Sequence, residues 1–386
     1  MWQSTRVMRA TVLLWSVFGA GCLAPDGFVP DAGSPIPAQQ GALALAAGRG
    51  GLDLPVPPDA VSAVVRIHGV PRDVRLWVAS WEGPDGVVLL GVDAGRLLSA
   101  AELEWTQDTG LGLAGPCRTR PGFSDATAGC STAASPLFGP GAHRLNVVAA
   151  HHPDGGAFDG VAAWTAQFSR VPQGSRRLPI RLHFSDVTQA GNPQPLRHPG
   201  VATLLDTTAT LLRPADVVLD VEGLVAPRDE VVLDGVTLRS DALWDLVAVM
   251  PSNPGVDVFV LGTLLVTGGD GVMRNVPALS TSVPLAAGEG SVAGMILMRG
   301  DFSNGTLESP QLLGTRLAHE LGHALGLFHP LEFPAGDGSA VEDTLLDTTN
   351  NPLDAPDLLM HHTPLTSSTL LTPQQVDVIR QSPILR

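Results

Sequence analysis

From Val61 to Val171 short runs rich in Val, Leu, Ile and Trp (VSAVVRI, RLWVAS, VVLLGV, HRLNVVAAH, AAWTAQFSRV) are separated by Gly, Pro and Asp. Such runs bounded by turn residues predict strands, and their recurrence predicts an all-β, sandwich-like accessory domain over residues 59–176. Near Arg177 the period changes. LPIRLHF reads as a strand, after which Val201, Leu204, Leu205, Thr208, Leu211 and Leu212 share one helical face until Pro214 stops it. VVLDV, a helix capped by Ser240 and ended by Pro251, and VDVFVL follow, with VAGMILM as a further strand. Strand, helix, strand, helix, strand with right-handed crossovers predicts a mainly parallel sheet, so residues 177–386 read as a second domain and the fold class as α+β. Next comes a helix with Ser309 as its cap, Pro310 in its first turn, and Leu313, Leu317, Leu321, Ala324 and Leu325 as its apolar stripe. A last helix starts at Thr372, Pro373 and Gln375, with Val376 and Ile379 facing inward. Residues 23–58, dominated by Pro, Gly, Ala and Asp, read as a flexible linker.

Composition adds compartment and excludes a class of partner. The chain has 386 residues, 44% hydrophobic and 16% charged, with a net charge of -15. That balance is globular, and the negative charge argues against nucleic-acid binding through phosphates. Residues 1–22 read as an export signal: Arg6 and Arg9, an apolar run from Ala10 to Ala20, then small residues before Cys22. GAGC is similar to a bacterial lipoprotein box, though Gly19 departs from the usual Leu, so lipidation of Cys22, plain signal cleavage, and a buried segment of the mature fold all stay open. The expectation is an exported monomer, secreted or held at the outer membrane only through a lipid on Cys22. Cys117 and Cys130 then remain as an even pair in an oxidising compartment, which predicts a disulfide. Trp77, Trp81, Trp105 and Trp164 suit either a ligand-binding face or core packing, the commoner use. His151 and His152 read as exposed turn residues.

The chemistry concentrates in HELGHALGLFH, His319 to His329. On a helix His319 and His323 lie one turn apart on one face, with Glu320 beside them. Gly326 suits the left-handed residue that ends a helix, and the turned chain brings back His329 as a third ligand. Three His with one open position describe a catalytic zinc site. A structural zinc would close all four positions and needs no Glu320, which argues against a surface binding or adhesion lipoprotein with a structural or inactive zinc module.

These residues resemble the metzincin zinc metallopeptidases, whose signature is HExxHxxGxxH followed by a methionine-bearing turn, for which Met360 in DLLMHH is the candidate. The resemblance covers Leu178 to the C-terminus, about half the chain. Pro330 is similar to the serralysin branch, whereas EDTLLDT and LTPQQ resemble the pappalysin-like branch, so the branch stays open. The resemblance implies a zinc endopeptidase acting on a protein or peptide, with Glu320 as general base and His319, His323 and His329 as ligands. It also implies an antiparallel edge strand near LSTSVP that holds substrate by strand addition, although a plain surface loop reads nearly as well. His362 occupies the place where several branches carry a Tyr that contacts the metal or the developing oxyanion; this chain has no Tyr, and His362 reads either as its replacement or as an exposed loop residue beside His361. The acidic stretch with Asp337, Glu342, Asp343 and Asp347 suits either a structural Ca2+ or a solvated loop.

Overall fold

The computed structural model describes residues 36–91, 118–120, 122–123, 125–151, 155–171, 174–185, 195–234, 241–251, 255–267, 272–281, 294–300, 308–332, 341–343, 345–348 and 355–386. The export signal, Cys22, Trp105, Cys117, His152 and Asp337 lie outside them.

The first part is two antiparallel sheets built from β1 (Gln39–Leu45), β2 (Arg49–Val56), β3 (Ser62–His68), β4 (Val74–Glu82), β5 (Val88–Gly91), β6 (Arg118–Arg120), β7 (Gly122–Phe123), β8 (Asp125–Ser131), β9 (Gly141–His151) and β10 (Gly160–Ser169). One sheet runs β1-β10-β3-β8-β6, and the other β2-β9-β4-β5 with β7 against β4. Alternate residues of both meet in one core, among them Val65 and Ile67 from β3, Leu76 and Val78 from β4, and Leu145 and Val147 from β9. That is sandwich packing. Trp77 and Trp81 are buried, and the Trp81 indole donates to His143 Nδ1 over 3.0 Å. These tryptophans serve packing. His151 is half-buried and pairs with Asp73 at 3.0 Å.

The linker expectation for 23–58 needs correction, because β1 and β2 lie inside it. Leu43, Leu45, Leu52, Leu54 and Val56 are buried while Ala44, Asp53 and Pro55 between them are exposed. A period of two was present on Leu and Val, but the Ala, Gly, Asp and Pro between them kept any apolar run from standing out.

The second part contains β11 (Arg176–Phe184), α1 (Pro199–Leu212), β12 (Val217–Val225), β13 (Glu230–Asp234), α2 (Asp241–Val247), β14 (Val256–Leu261), β15 (Thr263–Thr267), β16 (Met273–Asn275), β17 (Ala278–Ser280), β18 (Met295–Arg299), α3 (Pro310–Ala324), the short pair β19 (Leu331–Glu332) and β20 (Val341–Glu342), and α4 (Pro373–Arg380). Its main sheet runs β12-β11-β14-β18-β17, parallel except for β17 at one edge. On one face Leu178, Ile180, Val258, Val260 and Ile296 pack against Val201 and Leu204 of α1 and Leu313, Leu317 and Leu321 of α3. On the other, Phe259, Leu261 and Leu297 join Leu243 and Leu246 of α2 and Leu233 of a small sheet, β13-β15-β16. That face also buries charges. Arg181 donates to Asp257 from Nε (2.7 Å) and Nη2 (2.5 Å), and His183 Nε2 lies 2.7 Å from the same carboxylate.

Both parts belong to one compact unit. No described helix is long and apolar enough to cross a membrane.

Candidate metal centre

Helix α3 starts where its sequence dictates. Ser309 Oγ accepts from Leu312 N at 3.2 Å, and Pro310 needs no partner for its missing N–H. Its path is fixed by Gly314, where a Cβ would lie 2.6 Å from Leu204 O, so α1 crosses with backbone almost in contact. The Thr208 hydroxyl donates to Gly314 O across that crossing, at 3.0 Å.

The helix ends in a six-to-one turn. Leu327 N donates to Gly322 O and Gly326 N to His323 O, both at 2.9 Å, with Gly326 at φ +107°. This is the Schellman pattern that a glycine in that place permits. It reverses the chain and brings His329 back over the helix. His329 Nε2 then lies 3.1 Å from Nε2 of both His319 and His323. Three side chains given by the sequence motif therefore converge. Among the described residues they form the one group of His, Cys, Asp or Glu side chains placed to hold an ion.

The far side of two rings is tied to backbone. His319 Nδ1 donates to Leu359 O at 2.7 Å and His323 Nδ1 to Leu327 O at 2.8 Å. With the proton on Nδ1, the neutral form of each ring presents an Nε2 lone pair to the common point. Two lone pairs facing one spot repel unless a cation stands between them. Nitrogens about 2.0–2.1 Å from one ion at tetrahedral angles lie about 3.3–3.4 Å apart, so the two 3.1 Å separations fall slightly inside that spacing. Burial, and then the neighbouring His329, push the pKa of His319 down to about 3, so the ring stays in the neutral form a metal requires.

Met360 is fully buried under this helix. A Cβ on Gly322 would lie 2.5 Å from its Sδ, so the Gly inside HELGH makes room for the sulfur. Leu359, the neighbour of Met360, supplies the carbonyl that orients His319, so the segment carrying Met360 supports the ligand set directly.

Glu320 is buried, and its backbone carbonyl accepts from Ser280 Oγ at 2.9 Å. Ser280 belongs to the antiparallel edge strand β17, which takes in the first two residues of LSTSVP, while residues 282–284 lie outside the described residues. His362 is exposed, and its ring centroid lies 4.3 Å from that of the half-buried His361, the two rings tilted by 38°. Charge on either ring would lower the pKa of His319, that of His361 more strongly. His361 Nδ1 accepts from Thr363 N at 3.2 Å.

Of the acidic stretch's four carboxylates, those of Asp343 and Asp347 lie within the described side chains. Asp347 takes the start of α4, accepting from Thr372 Oγ1 at 2.7 Å and Gln374 N at 2.8 Å, while Asp343 Oδ1 accepts from Leu345 N at 3.1 Å and Thr348 Oγ1 at 2.5 Å. Both carboxylates are engaged in turn and cap geometry. Cys130 is disulfide-bonded, and Arg118, the residue after Cys117, pairs with Gly129, the residue before Cys130.

No protein-family model and no curated protein matches this chain. Among solved structures it is similar to a chaperone–substrate complex (12% identity, TM-score 0.27, covering 56% of this chain and 35% of that one). It is also similar to metalloproteinase-II from Bacteroides fragilis (13% identity, TM-score 0.24, 44% and 53%). This chain therefore spans about half or less of the length of these two, and likenesses at such scores carry no argument. What stands on the chain's own residues is a three-histidine group able to hold a metal ion, in a mixed α/β fold of several sheets.

Proposed function

We propose that the protein is an exported zinc-dependent endopeptidase of metzincin type, secreted or anchored at the cell surface through Cys22. One observation carries the reading: three imidazole nitrogens meet at one point, two of them fixed in the ligating tautomer by backbone carbonyls. His319, His323 and His329 would hold the ion, leaving a position open. When bound, zinc supplies a Lewis acid and a water acidified to a pKa of about 7.

The protein's own groups do the remaining work. The Glu320 carboxylate takes a proton from the attacking water as its oxygen bonds to the peptide carbonyl carbon. The same carboxylic acid gives that proton to the leaving nitrogen as the C–N bond breaks. Ser280 ties β17 to the Glu320 backbone, so a peptide added along this edge would run beside the base, its main chain held by backbone hydrogen bonds. Strand addition accepts many sequences, because it reads backbone. His362 is assigned as an N–H donor to the developing oxyanion.

Hydrolysis of a denatured protein such as casein, with and without a chelator, tests the activity. Glu320→Gln is expected to retain bound zinc and lose about 10²- to 10⁴-fold in turnover. A Glu320→Gln variant as active as the parent would refute the mechanism.

A further inference from the structure

Gln381, at the end of the last helix, is one point at which the β-sandwich is fastened to the part that carries the three histidines. Gln381 closes α4. Its Oε1 accepts from Thr132 Oγ1 at 3.1 Å and from Ala133 N at 3.0 Å, just beyond the end of β8. Its backbone carbonyl accepts from Ser169 Oγ at 2.5 Å and from Ser62 Oγ, hydroxyls of β10 and β3 that lie 2.7 Å apart. One residue therefore takes donors from three sandwich segments.

The joint lies behind the turn that aims His329. Ala133 and Ala134, which belong to the sandwich, pack against the core that contains Leu325, Leu327, Val378 and Met360. Val378 of α4 stands next to Gly326, its Cγ1 3.6 Å from where a Cβ would be. A cavity of about 60 Å³ remains between the two parts, lined on one side by Ser62, Val64 and Cys130 and on the other by Gly326, Leu327 and Phe328. Groups that span this cavity bear on the position of the turn. A second attachment, Arg72 stacked 4.2 Å over the Trp244 ring, holds the sandwich at α2.

We infer that Gln381 is a positioning residue for the metal centre: by docking the sandwich against α4 and the turn at Gly326, it holds His329 at its 3.1 Å approach to the other two rings. The sandwich is then a fixed wall of the metal centre. The inference rests on reading the three histidines as metal ligands, and it does not require that the reaction be proteolysis.

The test uses the full chain. Gln381→Ala removes the side-chain acceptor and leaves the backbone carbonyl, while Gln381→Glu keeps an oxygen able to accept from both Thr132 and Ala133. Zinc affinity is measured by competition with a chromophoric chelator, and site geometry by the visible spectrum of the cobalt-substituted protein. Gln381→Ala is expected to bind zinc about 3- to 10-fold more weakly, at the low end of what outer groups contribute to a metal site, and to change the cobalt band; Gln381→Glu is expected to restore both. Thr132→Val, which removes one donor from the other side, is expected to shift affinity in the same direction by a smaller factor, and it decides the matter should Gln381→Ala not fold. Parent-like affinity and spectrum in Gln381→Ala, or equal losses in Ala and Glu, overturn the inference. A parent that binds no zinc overturns it together with the metal reading, whereas a parent that binds zinc and cuts no peptide overturns the peptidase reading alone.

Discussion

Replacing Gly326 by Ala separates conformational strain from loss of ligand geometry. The site has room for a methyl group, since the nearest atom to a built Cβ is Val378 Cγ1 at 3.6 Å, an ordinary contact. The backbone, at φ +107°, does not suit an L-residue. Holding Ala there costs about 1–3 kcal/mol, and this cost applies with or without metal. If the turn relaxes instead, His329 moves away from its partners and a second loss appears only in the metal-bound protein. At zinc about 100 times the parent's Kd, binding adds about 2.7 kcal/mol to the parent's stability; a tenfold weaker variant keeps about half of that. Denaturant unfolding of parent and Gly326→Ala, each with excess chelator and with buffered zinc, gives both quantities. The expected result is a loss of about 1–3 kcal/mol in chelator, with about 1.4 kcal/mol more in zinc for each tenfold loss of affinity. Equal stabilities in chelator would refute the strain argument, and an unchanged zinc increment would refute relaxation of the turn in the variant.

Two further outcomes are expected. His362→Ala should lower turnover by about 10- to 1,000-fold with zinc content intact, the scale of one lost transition-state donor, and His361→Ala much less because its Nδ1 serves Thr363; equal, near-parent rates in both would remove His362 from the chemistry. In the metal-free protein the folded pKa of His319 is about 3 against 6.5 unfolded, so between those values the unfolded chain holds a proton that the folded chain lacks, and stability is lost as pH falls below 6.5. The loss from this group by pH 5 is about 2 kcal/mol, read as the difference in pH dependence between the parent and His319→Gln in urea with chelator, and identical slopes would contradict it.

The parallel sheet and its helices were legible because long apolar periods marked them: Val201 to Leu212 on α1 and Leu313 to Leu325 on α3 are buried as their spacing required. Caps were legible too, since Ser309 and Thr372 act through their own neighbours within three residues. The small sheet β13-β15-β16 was not, because β13 and β15 pair across a strand and a helix, and neither run names its partner. Arg181, His183 and Asp257 alternate with apolar residues along their strands, yet all three are buried. Their mutual hydrogen bonds are what make that burial tolerable, and pairing between strands cannot be read from either strand alone. The room that Gly322 leaves for Met360 also needed the fold, since 38 positions separate the two residues, the difference of their numbers.

The least legible feature was the boundary between the two parts. A change of hydrophobic period near Arg177 says where one kind of architecture stops, and nothing about whether the two parts touch. Contact between them depends on Gln381 and Thr132, 249 positions apart, and on Ala133, 248 apart, residues with no individual signature of an interface. Their effect is nevertheless direct. With the sandwich removed, the Gln381 acceptors lose all four donors, and the surface of Leu325, Leu327 and Val378 that now meets Ala133, Ala134 and the cavity wall faces water. A segment beginning at Arg177 carries all three histidines and Glu320 in its sequence, but the turn between His323 and His329 would stand without the wall behind it. Ligand identity is thus written locally in eleven residues, whereas the support inferred for the turn that brings His329 to 3.1 Å from the other two rings comes from a part of the chain that contributes none of the three histidines.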